Sequence, residues 1–325
     1  MSSIKISVVI PTYNRPLLLQ KCLHALAAQK LQKNSYEIIV VSDGPDVETR
    51  RLMDSWVKKR PSLNIRFFML SHKKGPAAAR NYGWLNARGE LVAFTDDDCV
   101  PERTWLNAYL KSYTSGEKVA FTGQTVVPIS SRPTDHELNT LGLQFADFIT
   151  ANCCCPKEVL ELVGGYDERF TMAWREDSDL QFKLLNEGIE IVKIDHAQVI
   201  HPVRKASWGI SIKDQKKTMF NALLYKKYPW MYRKKIQPRP PLNYYIMIGG
   251  FAIMVVGLAV NSAIAALSGF LIWGVFTMWF IKKRLHLTRL SVQHVSEMIV
   301  TSLAIPFLSI FWQIYGAIKY RVLFV

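Results

Sequence analysis

Three long apolar runs late in the chain constrain its fold more than any other feature: Tyr244 to Val260, Ala263 to Ile281 and Met298 to Ile318, of 17, 19 and 21 residues. A small globular domain offers no interior for three helices that are apolar all round, whereas a hydrocarbon core of about 30 Å is crossed by about 20 such residues. At 1.5 Å rise per residue the first run reaches about 26 Å, slightly short of a full crossing. Asn261 and Ser262 separate the first two runs, which therefore read as a helical hairpin, with the third as a further span.

Charge is distributed to match. The formal net charge is +15, yet Met1 to His201 holds 24 basic and 24 acidic residues, and Pro202 to Val325 holds 17 basic against 2 acidic. Basic residues beside apolar spans are what an anionic leaflet attracts, so membrane lipids are the expected partner of this charge, and no nucleic-acid motif accompanies it. Arg233 to Arg239 precede the hairpin, and Lys282, Lys283, Arg284 and Arg289 follow it. The positive-inside tendency places both outer ends, and with them residues 1–205, on the cytoplasmic face of a multi-pass cell-membrane protein. A third crossing would leave Lys319 and Arg321 on the far side, which conflicts mildly with that rule. Between the two regions, residues 206–241 mix lysine pairs with Trp, Tyr and Phe, as in a helix lying in the membrane interface.

Five cysteines, Cys22, Cys99 and the adjacent Cys153, Cys154 and Cys155, fit neither a disulfide framework nor a tetrahedral metal site, and a reducing compartment is the simpler reading. Neighbouring side chains on a strand alternate faces, so the trio reads as small, buried strand packing. No secretory signal is expected before the fold, because Ile4 to Ile10 already reads as a strand followed by Pro11.

In the first hundred residues, short β-rich runs alternate with helical spacing. Ile6 to Ile10, Glu37 to Ser42, Ile65 to Leu70 and Leu91 to Thr95 are expected strands, and Leu17 to Ala28, Glu48 to Lys59 and Ala77 to Ala87 expected helices. That order implies an α/β domain with a mainly parallel sheet whose ligands gather at the carboxyl ends of the strands. Polar groups follow each strand end: Pro11 to Arg15, then Asp43-Gly44, then Lys73-Lys74-Gly75, then Asp96-Asp97-Asp98. Farther on, Val119 to Pro128 reads as another strand, Phe145 to Cys155 leads into a helix that opens at Lys157 to Leu160, Leu180 to Asn186 reads as a helix, and Ile189 to Ile194 with Val199-Ile200 close the domain near His201.

Three consecutive carboxylates after an apolar strand repel one another unless a cation or hydrogen-bond donors compensate. A divalent ion suits these hard oxygen ligands and would bridge the phosphates of a diphosphate leaving group; a solvated acidic turn explains the run alone equally well. The second acidic cluster, Glu176-Asp177-Ser178-Asp179, offers a carboxylate for proton abstraction, although acids at a helix start are also favoured by the macrodipole.

Taken in order, Val8 to Arg15, Val41 to Gly44, Gly75 to Asn81, Phe94 to Pro101, Gly164 to Glu168 and Glu176 to Leu180 resemble the family 2 glycosyltransferases of the GT-A fold, over Ile4 to Arg204. The resemblance implies a Rossmann-like mixed sheet and an inverting enzyme that uses Mn²⁺ or Mg²⁺ and a nucleotide diphosphosugar donor, a UDP-sugar being favoured. By position, Pro11, Thr12, Tyr13, Arg15 and Asp43 would hold the nucleotide, with Gly75, Arg80, Asp96 and Asp97 near the donor. Asp98, Asp96 and His201 would form the metal site, and Asp177, with Glu176 as the alternative, would be the base. Ser42-Asp43 departs from the paired acids common at that place, which loosens the nucleotide assignment.

A lipid-linked or membrane-delivered glycan acceptor accounts for both the acidic clusters and the apolar spans. A processive polysaccharide synthase is the first alternative; such synthases carry a later Gln/Arg-x-x-Arg-Trp element that is not found here. A catalytically silent membrane scaffold is the alternative from another class, and a nucleotidyltransferase lacks its glycine-rich, lysine-bearing loop.

Overall fold

The β-rich runs form the strands that their patterning predicts. In the computed structural model, which describes residues 4–324, the first 128 residues run β1 (Ile6–Thr12), α1 (Pro16–Ala27), β2 (Tyr36–Ser42), α2 (Val47–Lys59), β3 (Asn64–Met69), α3 (Pro76–Leu85), β4 (Leu91–Thr95), β5 (Val100–Pro101), α4 (Trp105–Ser112) and β6 (Val119–Val126). Then follow α5 (Asp135–Leu141), β7 (Asn152–Pro156), α6 (Lys157–Val163), α7 (Glu176–Asn186) and β8 (Glu190–Ile200). The remaining helices are α8 (Ile210–Asp214), α9 (Met219–Lys227), α10 (Pro229–Lys235), α11 (Leu242–Ala259), α12 (Ala263–Leu285) and α13 (Val292–Tyr320). Two units emerge, Met1–Pro128 with Leu141–Val203, and Ile129–Thr140 with Arg204–Val325.

The first unit is built on an eight-stranded sheet in the order β3-β2-β1-β4-β7-β6-β8-β5. β1 pairs in parallel with β2 on one side and β4 on the other, Ile10 opposite Val40 and Val9 opposite Phe94. Both faces of these strands are covered, which is why they read as continuous apolar runs instead of alternating ones. On one face, Val8, Ile10, Val40 and Ala93 pack with Leu19 and Leu23 of α1, Trp56 of α2 and Trp105 of α4. On the other, Val9, Ile39, Val41 and Phe94 pack with α3, Leu160 of α6 and Leu180 of α7. β7 pairs antiparallel with β4, and its cysteines divide as alternation requires: Cys154 joins the first face, Cys153 and Cys155 the second. All five cysteines are buried and free.

Boundaries differ from expectation where side-chain pattern misleads. Of Phe145 to Cys155, the first residue ends a single helical turn, Gly142–Phe145, and the last four belong to the strand Asn152–Pro156. The two late strand segments are one strand, β8, parallel to β6 and interrupted by a register shift between Gly123 and Gln124. There Asn152 is fully buried and bonds the Gln124 and Ala197 carbonyls at 2.9 Å while accepting from Trp105 and Tyr109 at 2.8 and 2.7 Å. Its amide supplies the ladder partners that the shift removes.

In the second unit three helices, α11, α12 and α13, are long and apolar enough to cross a membrane. α11 and α12 form the hairpin, with backbones so close that a Cβ at Gly250, Gly257 or Gly269 would strike the partner helix. Close approach through small residues is how helices pack in lipid, where the hydrophobic effect gives no advantage. Residues 208–235, expected as one helix, are instead α8, a 3-10 turn at Gln215–Thr218, α9 and α10, with Pro229 separating the last two. α5 begins in this unit, its Asp135 accepting from Arg284 at 2.7 Å.

Candidate active site

β1 lies between β2 and β4, so the chain turns one way after β1 and the other way before β4; that reversal opens a crevice at the carboxyl ends of β1 and β4. Thr12, the last residue of β1, donates across it to Asp97 at 2.8 Å, and Arg15 reaches the other oxygen of Asp97 at 3.4 Å. Burial pushes the Asp97 carboxyl up to about 6, with Asp98 and Asp96 adding to the shift against the pull of Arg15 and Thr12.

Arg80, on α3 and almost fully buried, joins the two acidic clusters. Its guanidinium donates to Asp96 at 2.7 Å and to Glu176 at 3.2 Å. Burial opposes its charge, but these two carboxylates outweigh it and raise the guanidinium above its ordinary value. Glu176, itself buried, is pushed up to about 7 by burial and by Asp177, although Arg80 pulls the other way. Asp177 beside it is half-buried and accepts from the Ser178 amide at 2.6 Å.

Asp43, at the end of β2, accepts the backbone amides of Lys74 and Gly75, both at 2.8 Å. Gly75 has φ of +109°, and a Cβ there would lie 2.6 Å from the Thr171 carbonyl oxygen, so only glycine allows this loop to meet the segment that leads into Glu176. Lys73 stands 4.5 Å above the Tyr13 ring. Four loops from four strand ends are thus tied into one rim.

Asp98, Cys99 and His201 bring ligand atoms within 4.8 Å of one another, with Asp98 Oδ1 4.0 Å from His201 Nε2. Nδ1 of His201 is buried with no hydrogen-bond partner among the described residues. A buried carboxylate and an imidazole nitrogen this close are a donor set that a divalent ion fits. Burial, followed by the Asp96 and Asp98 charges, raises the Cys99 thiol, so the carboxylate and imidazole are the better donors.

Residues 7–163 match the family model for glycosyl transferase family 2. Those residues are a family 2 glycosyltransferase domain. Glycosyltransferase AglE of Haloferax volcanii is 35% identical over 121 residues, which are 37% of this chain and 39% of that protein. The chain spans about two fifths of the length of the first curated relatives it matches, 39% in each case. Among solved structures, a mannosyltransferase from Pyrobaculum calidifontis in complex with GDP-Man and Mn²⁺ superposes with TM-score 0.57 at 18% identity, covering 99% of this chain and 88% of that one. S. aureus TarS 1-349 in complex with UDP gives 0.51 at 16%, covering 96% and 92%. The shared fold is GT-A.

Within the first unit the residues singled out in the sequence converge on one edge, with two refinements. Asp96 turns to Arg80 and stands outside the Asp98–Cys99–His201 group. Of the two base candidates, Glu176 is engaged by Arg80 and Asp177 is the more accessible. Sequence reasoning passed over Asp46, which caps α2 through Thr49 and pins the Asn14 turn by accepting its amide at 2.6 Å; the Asp-x-x-Thr spacing was the available signal. It also gave no role to Asn81, whose side chain bonds the Tyr166 carbonyl and amide at 2.9 Å and so fixes the Gly164–Glu168 turn. A cavity of about 770 Å³ lined by Lys5, Arg88, Glu90 and Lys157 lies at the amino ends of β1 and β4, away from this chemistry.

Proposed function

We propose that the glycosyltransferase domain moves a sugar, with inversion, from a nucleotide diphosphosugar to a hydroxyl of a lipid-linked or membrane-delivered glycan acceptor. The observation that carries this is the Arg80 bridge: it places the acidic run after β4 and the acidic start of α7 on either side of one buried cation. Asp98 and His201 would hold Mn²⁺ or Mg²⁺, which supplies neutralisation of the leaving diphosphate. Asp43 and the Pro11 to Arg15 loop receive the nucleotide, for which a UDP-sugar is favoured. Asp177 takes the acceptor hydroxyl proton as that oxygen attacks the anomeric carbon, and the electron pair of the breaking C–O bond leaves on the β-phosphate. Glu176 and Asp96 hold Arg80 at the rim and so fix the two acidic clusters relative to each other.

The α11–α12 hairpin then crosses the cell membrane, with the basic residues at its outer ends and the glycosyltransferase domain on the cytoplasmic side. Detergent-solubilised protein offered a panel of nucleotide sugars with Mn²⁺ or Mg²⁺ tests the reading: turnover of at least one donor, abolished by chelation, is the expected result. If no donor binds or turns over with any divalent ion, the catalytic reading fails and a silent membrane scaffold replaces it.

A further inference from the structure

The proposed reaction uses no sulfur, yet a thiol stands against the groups assigned to its metal. Cys99 follows the acidic run directly, and the backbone holds it there twice. Its amide donates to the Asp96 carbonyl at 3.1 Å, and β5, which begins at the next residue, pairs antiparallel with the end of β8, Val100 opposite Ile200. One step farther along that register Cys99 stands opposite His201, whose amide donates to the Val126 carbonyl at 2.8 Å. Sheet pairing, and not a chance of side-chain placement, brings the thiol and the imidazole together.

The side chains meet on one oxygen. The Cys99 thiol donates to Asp98 Oδ1 at 3.9 Å, His201 Nε2 lies 4.0 Å from the same atom, and the three ligand atoms fall within 4.8 Å of one another. Among the described residues this is the one group of three metal-ligating side chains brought so close, and all three are buried. In a tetrahedral zinc site, bonds of about 2.3 Å to sulfur and about 2.0–2.2 Å to nitrogen and oxygen set neighbouring ligand atoms about 3.5 Å apart. The separations here exceed that by roughly half an ångström, which small side-chain rotations close.

Mn²⁺ and Mg²⁺ are hard ions that favour oxygen, so toward them the thiol adds little. Zn²⁺ binds mixed oxygen, nitrogen and sulfur donors more tightly than Mn²⁺ does, and a thiolate widens that preference. We propose that Asp98, Cys99 and His201 form a site for a thiophilic divalent cation such as Zn²⁺, with the Cys99 sulfur as third ligand. Binding forms the metal–sulfur bond and releases the thiol proton to solvent, with no oxidation or reduction. Zn²⁺ held in this way occupies the two groups that would carry the catalytic ion, and competes with Mn²⁺ for them. That consequence rests on the metal role proposed above for Asp98 and His201.

Co²⁺ is the probe, because a thiolate bound to it gives a near-ultraviolet charge-transfer band that oxygen and nitrogen ligands do not give. Full-length protein in detergent is titrated with Co²⁺, and the band is expected in wild type and expected to vanish on adding Zn²⁺. Cys99→Ser and Cys99→Ala should lack it, with Zn²⁺ affinity lowered at least about tenfold and Mn²⁺ affinity, read from the paramagnetic resonance of the free ion, within about twofold of wild type. Cys22→Ser, which alters another buried thiol of the same core face, should keep the band. Cys99 is fully buried, so circular dichroism checks the fold of each variant, while the wild-type band and its loss to Zn²⁺ need no variant. No band in wild type, or a band that survives in either Cys99 variant, overturns the proposal. So does an equal loss of Mn²⁺ affinity in those variants, since the thiol would then act on the fold and not on the choice of ion. Mn²⁺ binding without a thiolate band overturns this site and leaves the catalytic metal role in place; a thiolate band without Mn²⁺ binding supports the site and removes that role.

Discussion

Arg80 is the residue on which the rim turns. It is buried with Glu176 and bonds the partly exposed Asp96, so removing its charge leaves the buried Glu176 carboxylate without its cation. Breaking such a buried pair costs about 3–5 kcal/mol. Arg80→Ala is therefore expected to lower the unfolding midpoint of the purified protein by several degrees and to abolish donor turnover. Arg80→Lys keeps a charge but loses the two-pronged donor geometry, and should recover stability more than activity. Glu176 gives a pH signature. Its folded pKa of about 7 lies above the ordinary glutamate value of 4.5, so the fold favours its protonated form. That contribution is complete below pH 4.5 and is lost as pH rises from there through 7. Relative to Glu176→Gln, wild type should therefore lose stability between pH 5 and pH 8 in thermal unfolding; a constant difference contradicts the assignment. The acidic runs were legible in the sequence because adjacent like charges need a compensating cation. The cation was not legible, because Arg80 lies 16 and 96 positions from the carboxylates it holds.

At the scale of elements, the parallel strands were readable because burial on both faces writes continuous apolar runs, and the loops after them because turns require glycine and polar side chains. The late part of the sheet was harder. β8 pairs in parallel with β6 through a register shift patched by Asn152, and no local pattern announces that a buried amide stands in for ladder bonds. Gly75 tests how far the loops act together. Its left-handed φ and its contact with Thr171 leave no room for a side chain, and strain of this kind costs of order 1–3 kcal/mol. Gly75→Ala should displace the loop leading to Glu176 and weaken nucleotide-sugar binding, read by calorimetry, while the core packing of the sheet and the circular dichroism spectrum stay as in wild type. Unchanged affinity would mean that the two loops act independently.

For the whole molecule, the division of charge announced the division of labour. The neutral first part contains the residues that match the glycosyl transferase family 2 model, and the segment with 17 basic and 2 acidic residues holds the three apolar helices. What the sequence left open was how the third of these is used, since hydropathy records what a helix carries and not what lies beside it. The central claim, that one rim separates donor binding through a metal at Asp98 and His201 from proton abstraction at Asp177, is tested most directly by titrating the turned-over donor into wild type, Asp98→Asn and Asp177→Asn, with Mn²⁺ and with chelator. Metal-dependent affinity should fall at least about tenfold in Asp98→Asn and stay near wild type in Asp177→Asn, whose turnover is lost. Equal affinity in Asp98→Asn, or full turnover in Asp177→Asn, would contradict it.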